Sequence, residues 1–287
     1  MYSIKVSICI PTYNGEKYLQ EALDSINHQN FRDFEVVISD DASSDDTLKI
    51  VENFKNKVDF PVHIYEHKPC GIGANWNNSI RHANGEYIKF LFQDDVLEPI
   101  CLEKMQKVLD ENPKVGLVAS KREFIIDKVN NEATQKWLSK YQDLQKNILE
   151  NKKSQLITKK IFKHKDFINT PKNKIGEPSV VMFRRSLVDK IGVFDENLKQ
   201  ILDYEYWYRV LKKYHIYIIN ETLVKFRLHN MQATAINASV KITDYALYPK
   251  ILYKDYFWLL NYQYQKEFFF KYNKLGRLIK KIKKRVL

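Results

Sequence analysis

The feature that most constrains this chain is an alternation of strand-like and helix-like segments with short connections through its first 120 residues. Apolar runs rich in β-branched and aromatic residues cover residues 6–10, 34–39, 62–65, 86–92 and 115–120. Segments with apolar residues at helical spacing lie between most of these runs. Such alternation predicts an α/β fold: a Rossmann-like, mostly parallel sheet flanked by helices.

Polar side chains gather where three of the predicted strands end. Thr12-Tyr13-Asn14 follows the first strand, Asp40-Asp41 the second and Asp94-Asp95 the fourth. In open parallel sheets, ligands bind outside the carboxyl ends of the strands. The sequence therefore predicts one binding cleft that collects these three clusters.

Length and composition limit the other classes of protein. A chain of 287 residues is long enough for one large domain, predicted over residues 1–240, and a helical, aromatic-rich and basic extension over residues 241–287. The three cysteines form no C-x-x-C pair, which is typical of a reducing cytoplasm. Residues 1–5 resemble no signal peptide, and no apolar run reaches the roughly 20 residues of a spanning helix.

The adjacent acids Asp94 and Asp95 indicate a metal site. They follow the apolar run 88–92, where two neighbouring carboxylates repel each other unless a cation or hydrogen bonds offset the charge. Mg²⁺ or Mn²⁺ binds one or two carboxylates and completes its shell with phosphate oxygens and water. The alternative is a turn before a helix, where aspartate is common.

Three further segments carry candidate functional groups. The loop 40–47 holds four acids, more than helix capping needs. Asp41 is therefore available to accept a hydrogen bond from a base or ribose. The alternative is a solvated acidic loop. Asp203 precedes an aromatic helical segment, where burial can raise a carboxyl pKa; an N-cap is the alternative. Arg227 and His229, two residues apart on a strand, face the same side. Arginine and histidine both bind phosphate, and histidine also ligates metals.

Four ordered segments, 6–15, 36–47, 83–95 and 191–203, together resemble the family 2 glycosyltransferases, which have the GT-A fold. The similarity extends over about residues 4–230. Two motifs depart from the family pattern. The metal motif reads Gln93-Asp94-Asp95 instead of a strict D-x-D, and Leu202-Asp203 stands where Glu-Asp is commoner.

The resemblance implies a nucleotide pocket at the ends of the first strands. Its nucleotide-binding positions correspond to Pro11, Thr12, Tyr13, Asn14, Asp41 and Asp94. Within this set, Asp41 is expected to contact the base, and Asp94 is expected beside the ribose or the metal.

The resemblance also implies a metal and a catalytic base. A divalent cation, Mn²⁺ or Mg²⁺, is expected on Asp95 and His229, with Arg227 near the diphosphate. Asp203 is expected to be the general base. Trp207 and Arg209 are expected to support it.

The implied activity is inverting transfer of a hexosyl or N-acetylhexosaminyl group from a nucleotide diphosphate to an acceptor hydroxyl. UDP is the expected carrier because Asp41 suits a base with an imide N–H, while GDP and dTDP remain open. The expected acceptor is a glycan or lipid-linked glycan in cell-surface polysaccharide or lipopolysaccharide synthesis. The alternatives are a nucleotidyltransferase, or a degenerate transferase fold acting as a membrane-associated scaffold.

The C-terminal segment is basic and amphipathic. Residues 271–287 carry eight cations and no acid. The whole chain has a formal charge of +12, so the chain without this segment has a charge of +4. Apolar side chains recur at helical spacing at Leu275, Leu278, Ile279, Ile282 and Val286. This pattern is typical of a helix on an anionic membrane surface, here the inner face of the cell membrane, and the alternative is a helix docked on the domain. No nucleic-acid-binding motif accompanies it.

Overall fold

The predicted sheet is present in the computed structural model, which describes residues 4–126, 132–149, 153–169, 172–230, 232 and 242–286. Within these residues, nine strands form one sheet. In chain order they are β1 Val6–Thr12, β2 Phe34–Asp40, β3 Val62–Glu66, β4 Tyr87–Phe90, β5 Val96–Leu97, β6 Val115–Ile126, β7 Gln155–Ile157, β8 Val181–Arg184 and β9 His215–Leu228.

The strands lie in the order β3-β2-β1-β4-β8-β6-β9-β5, and β7 also pairs with β9. Six of them, β1 to β4, β6 and β9, run in one direction. The other three, β5, β7 and β8, run antiparallel to their neighbours. The α/β architecture with a mostly parallel sheet is confirmed, and β8 is an antiparallel strand inserted between β4 and β6.

Helices cover both faces of the sheet, which explains the continuous apolar runs of the central strands. The helices are α1 Leu19–Asn27, α2 Thr47–Lys55, α3 Ile72–His82, α4 Cys101–Glu111, α5 Glu132–Tyr141, α6 Leu187–Ile191, α7 Leu202–Lys213, α8 Asp244–Tyr256, α9 Tyr262–Tyr272 and α10 Lys274–Val286. Every residue of β1 and β2 is buried. The register places Thr12 beside Asp40, so the polar residues after both strands begin at the same sheet edge.

The polar, lysine-rich segment 121–170 contains strands that its composition does not indicate. β6 continues to Ile126, and Gln155–Ile157 forms the short strand β7 on β9. β6 leaves the apolar core after Ser120, and apart from the buried Arg122 its later side chains are partly or fully exposed, so this part of the strand lacks a continuous apolar run.

The predicted domain boundary between residues 240 and 241 lies outside the described residues. The extension begins in contact with the main domain, since Tyr248, Leu252 and Tyr256 of α8 are buried in the common core. Asp244 accepts hydrogen bonds from the backbone N–H groups of Lys199 and Gln200, both at 2.7 Å. Among the described helices, none is long and apolar enough to cross a bilayer.

Candidate active site

A cavity of about 460 Å³ opens at the carboxyl ends of β1 and β2. It collects residues from Pro11 to Gln232, which are 221 positions apart in sequence. The predicted site residues that line it are Pro11, Thr12, Tyr13, Asp41, Asp94, Asp203 and His229. The three polar clusters predicted to share one cleft therefore do so.

Hydrogen bonds between neighbouring loops position the inner end of this cavity. The Thr12 hydroxyl donates to Asp40 Oδ1 at 2.7 Å, and Asp41 N donates to the Thr12 carbonyl at 2.9 Å. The Asp41 carboxylate accepts from Cys70 N at 2.8 Å and from Gly71 N at 3.1 Å. These bonds hold the Asp41 carboxylate at the cavity wall.

The Asp41 carboxylate also lies in a small cluster of ligand-type groups. Its Oδ1 is 3.4 Å from His67 Nδ1, and Cys70 Sγ is 3.2 Å from the same nitrogen. The three ligand atoms lie within 4.8 Å of one another. His67 and Cys70 were not predicted from the sequence because a lone histidine and a lone cysteine match no ligand spacing.

Gln93 holds the loop after β1 through two hydrogen bonds to Tyr13. Its Oε1 accepts from Tyr13 N at 2.9 Å, and its Nε2 donates to the Tyr13 carbonyl at 3.0 Å. A Cβ on Gly15 would lie 2.4 Å from Gln93 Oε1, so a larger residue here would displace the Gln93 side chain from these two hydrogen bonds. Gln93 thereby presents the exposed Tyr13 ring at the mouth of the cavity.

Asp94 and His229 lie next to each other in the cavity lining. Asp94 Oδ2 lies 2.9 Å from His229 Nε2, although the two residues are 135 positions apart. The His229 ring packs against the Tyr18 ring at 4.7 Å between centroids. A carboxylate oxygen and an imidazole nitrogen at this distance match the ligand types of Mn²⁺ and related divalent ions.

Asp95, by contrast, is fully buried and does not line the cavity. Its Oδ1 accepts from Arg227 N at 3.0 Å. Burial raises the pKa of Asp95 well above its usual value, and the neighbouring Asp94 carboxylate raises it further. The structure thus places Asp94 in the cavity and uses Asp95 to connect the loop to β9.

Arg227 has a similar connecting position behind the cavity. Its Nε donates to the Asp94 carbonyl at 3.0 Å, and its guanidinium pairs with Glu21 and stacks over Tyr18. The side chain is 5% exposed and does not line the cavity. Arg227 therefore orients the Asp94–Asp95 loop from below.

Asp203 lies at the start of α7 and also lines the cavity. Its Oδ2 accepts from Asn173 Nδ2 at 2.7 Å, and its Oδ1 accepts from Tyr204 N at 2.8 Å. Burial raises the pKa of Asp203 to about 7, helped by the charge of Glu177 and opposed by these two donors. A carboxylate with this pKa is matched to proton abstraction near neutral pH.

Trp207 and Arg209 stabilise the surroundings of Asp203 without lining the cavity. The buried Trp207 Nε1 donates to the Gly176 carbonyl at 2.9 Å, which ties α7 to the loop that carries Asn173. Arg209 pairs with Glu205 at 2.9 Å and donates to the Ile191 carbonyl at 2.6 Å. Its contacts secure the turn after α6.

Asn14 also lies outside the cavity lining. Its backbone adopts a positive φ of 46°, which asparagine tolerates better than most residues. Asn14 Oδ1 accepts from Ser44 N at 2.8 Å, and Asn14 N donates to Ser43 Oγ at 2.9 Å. Asn14 joins the loop after β1 to the loop after β2.

Sequence reasoning missed several residues that build the site. Asn173 gives no local signal, because it lies 30 positions before Asp203 in a polar segment. Asn75 donates from Nδ2 to the Thr12 carbonyl at 3.0 Å and lines the cavity from α3. Gln93 could have been found from its position next to Asp94, at the end of a buried strand.

Residues 7–192 match the model of the family described as Glycosyl transferase family 2. The chain belongs to this family. A related chain, an uncharacterized glycosyltransferase of Rickettsia prowazekii, is 31% identical over 235 residues, which cover 82% of this chain and 67% of the relative. The poly(ribitol-phosphate) beta-N-acetylglucosaminyltransferase TarS of Staphylococcus aureus is 39% identical over 111 residues, 38% of this chain and 19% of TarS.

The fold of this family 2 chain is also similar to a solved structure. The crystal structure of S. aureus TarS 1-349 in complex with UDP-GlcNAc superposes with a TM-score of 0.68 at 22% identity, covering 94% of this chain and 71% of that one. The fold is therefore GT-A, as the sequence predicted. The chain spans about two thirds of the length of the Rickettsia relative, so it matches only part of that protein.

Proposed function

We propose that this family 2 chain is an inverting glycosyltransferase that moves a sugar from a nucleotide diphosphate, with UDP the favoured carrier, to an acceptor hydroxyl. The observation that carries the proposal is the single cavity lined by Asp41, Asp94, His229 and Asp203. This cavity combines a base-recognition carboxylate, a metal-binding pair and a carboxylate of raised pKa. Each group corresponds to one requirement of the reaction.

The donor would lie along the ends of β1, β2 and β4. Asp41 would accept the imide N–H of uracil, and Thr12 and Tyr13 would line the nucleoside part. Asp94 and His229 would hold the divalent cation, with Mn²⁺ favoured by the mixture of oxygen and nitrogen ligands. When bound, that ion would neutralise charge on the leaving diphosphate.

Asp203 would act as the general base. Its carboxylate would take the proton of the acceptor hydroxyl while that oxygen attacks the anomeric carbon from the face opposite the nucleotide diphosphate. The bond to the diphosphate oxygen breaks as the new glycosidic bond forms, so the configuration inverts. Asn173 would orient Asp203, because its amide donates to the same carboxylate.

The relatives support the proposed acceptor class. TarS is named for transfer of N-acetylglucosamine to poly(ribitol phosphate). A hexosyl or N-acetylhexosaminyl transfer to a glycan or lipid-linked glycan of the cell surface is therefore the favoured reaction for this chain.

We also propose that α10 contacts an anionic membrane surface. Leu275, Leu278 and Ile282 are each more than half exposed on this helix, which carries no acid. Apolar side chains flanked by cations are the pattern of helices that lie in the headgroup region. The predicted side-chain positions beyond Ile282, including Val286, lie outside the described side chains.

Calorimetric titration of UDP with and without Mn²⁺ tests the donor site. We expect Mn²⁺-dependent binding in the wild type and its loss in Asp94→Ala. Asp24→Ala, which changes an exposed acid of α1, is the matched control and should bind as the wild type does. Equal UDP binding by Asp94→Ala would contradict the metal assignment.

Product analysis separates the alternatives. A transferase consumes a UDP-sugar and releases UDP, whereas a nucleotidyltransferase releases pyrophosphate from a nucleoside triphosphate. A scaffold would bind nucleotide at most and turn over neither. Screening UDP-sugars first, and then GDP- and dTDP-sugars, identifies the carrier.

A further inference from the structure

A second cavity, of about 510 Å³, lies beside the loop that orients Asp203. Three lysines line it: Lys140 at the end of α5, Lys146 in the segment after it, and Lys174. The remaining polar lining includes hydroxyl and amide groups that can donate hydrogen bonds, namely Ser139, Gln142 and Asn147. No residue lines both this cavity and the donor cavity.

Lys174 is the unusual member of this set because it is 1% exposed. Within the described part of the chain, its ammonium makes no hydrogen bond and no ion pair. Asp166 attracts it electrostatically without pairing with it. Burial lowers the pKa of Lys174, which reflects the free-energy cost of holding an ammonium out of water. Buried charges in proteins are normally paired, so an anion that reaches this cavity is a candidate partner for Lys174.

The charge around the cavity is positive. Asp143 is the only acid among the described residues of the lining, and it is already paired with Lys121. Lys140 and Lys146 are exposed and form no ion pair with any described residue. The cavity therefore offers three ammonium groups and several neutral donors to one anion.

The loop 172–176 connects this second cavity to Asp203 in the donor cavity. Asn173 donates to Asp203, and the next residue, Lys174, lines the second cavity. The loop is held to the segment after α5 because Gln145 Nε2 donates to the Ile175 carbonyl at 2.7 Å. A group bound at Lys174 would thus lie behind the residue that orients the catalytic base.

We propose that this cavity is a subsite for a phosphate group of the acceptor, bound by Lys174 with Lys140 and Lys146. The part that assigns the anion to the acceptor rests on the proposed function, whereas the anion site itself does not. Phosphate fits because lysine binds it as a point charge and because its oxygens accept several hydrogen bonds at once. The donor diphosphate is not the ligand, since its cavity is separate.

The first experiment is calorimetric titration of the full chain with inorganic phosphate. We expect saturable binding by the wild type and at least tenfold weaker binding by Lys174→Met, which keeps the length of the side chain without its charge. Lys55→Met, which removes an exposed lysine of α2, is the matched control and should bind phosphate normally. Equal binding by Lys174→Met and wild type overturns the inference.

Thermal unfolding separates a ligand site from a structural role. If Lys174 is kept for binding, Lys174→Met should melt at the same temperature as the wild type or about 2 °C higher without phosphate. Phosphate should then raise the melting temperature of the wild type alone. If Lys174→Met melts at a lower temperature than the wild type but binds phosphate normally when folded, Lys174 has a structural role and the proposal is refuted.

Lys146→Met changes an exposed residue and should preserve folding. It should weaken phosphate binding about threefold. Unchanged phosphate binding by Lys146→Met contradicts a site shared by the three lysines.

Two further probes identify the source of the phosphate. sn-Glycerol 3-phosphate represents a monoester and diethyl phosphate a diester, and binding of either supports an acceptor phosphate. Binding of inorganic phosphate alone rejects the acceptor assignment. UDP is titrated into the same samples: UDP binding unchanged by Lys174→Met confirms separate sites. Absence of UDP binding with retained ester binding refutes the proposed function and leaves the anion site standing.

Discussion

Replacing Asp203 by asparagine is expected to slow transfer by about 10² to 10⁴ and, at alkaline pH, to make the folded protein more stable. The carboxyl has a folded-state pKa of about 7 against an ordinary value of 3.8, mainly because it is buried. A raised pKa means that the fold favours the protonated form. Its unfavourable contribution is therefore absent below about pH 4 and complete above about pH 7, and asparagine removes it.

The magnitude follows from the size of the shift. Each pKa unit corresponds to about 1.4 kcal/mol, so the charged carboxylate costs up to about 4 kcal/mol at pH 8. Asp203 lines a cavity, so water screens its charge, and asparagine keeps only one of the two accepted hydrogen bonds, a loss of about 1 kcal/mol. We expect the advantage of Asp203→Asn to grow by about 1 to 2 kcal/mol between pH 5.5 and pH 8.

Urea unfolding at the two pH values measures this difference, and a transfer assay measures activity. Loss of a general base lowers the rate by about 10² to 10⁴. Asp189→Asn, which changes an exposed acid of α6, is the control and should change neither quantity. If the stability difference between Asp203→Asn and wild type is the same at both pH values, the raised pKa is wrong.

Three other outcomes are expected. Asn173→Ala removes one hydrogen-bond donor to the Asp203 carboxylate. The midpoint of the pH–rate profile should therefore rise by about one unit, from about 7 to about 8. An unchanged midpoint would contradict the orienting role of Asn173. Asp94→Asn should weaken Mn²⁺-dependent UDP binding more than about tenfold. Asp95→Asn can still accept the hydrogen bond from Arg227 N and should change binding little. If calorimetry gives the reverse order, Asp95 is the metal ligand. Leu278→Glu should reduce sedimentation with phosphatidylglycerol vesicles about tenfold, with phosphatidylcholine vesicles as the neutral control, and undiminished sedimentation would exclude α10 as the contact.

The sequence alone predicted the parallel part of the fold and the convergence of the site. Buried runs such as Val6–Thr12 and Phe34–Asp40 are strands because both faces are covered, and their apolar residues therefore need no alternation. Since parallel strands end at one edge, Asp41 and Asp94 had to come close. His229 and Asp203 joined them through the resemblance to a family and not through spacing.

Other features depend on contacts that no local pattern encodes. The antiparallel strand β8 has four residues, too few to show its direction or its neighbours. Which of Asp94 and Asp95 faces the cavity is decided by the packing of Arg227 beneath the loop. Asn173 and Lys174 lie in a polar segment without periodicity. The sequence therefore does not show that Asn173 contacts Asp203 while Lys174 lines the second cavity.

The insertion of β8 between β4 and β6 affects how the protein can fold as it is synthesised. β4 ends at Phe90, but the strand that pairs with its open edge ends at Arg184. At typical rates of translation, the roughly 90 residues between them take about 5 to 20 s to appear. From the synthesis of β6 until that of β8, β4 and β6 each present an unpaired edge, which other chains can bind. Fragments that end before β8 are therefore expected to aggregate, and chaperone demand should be greatest while this stretch is being made.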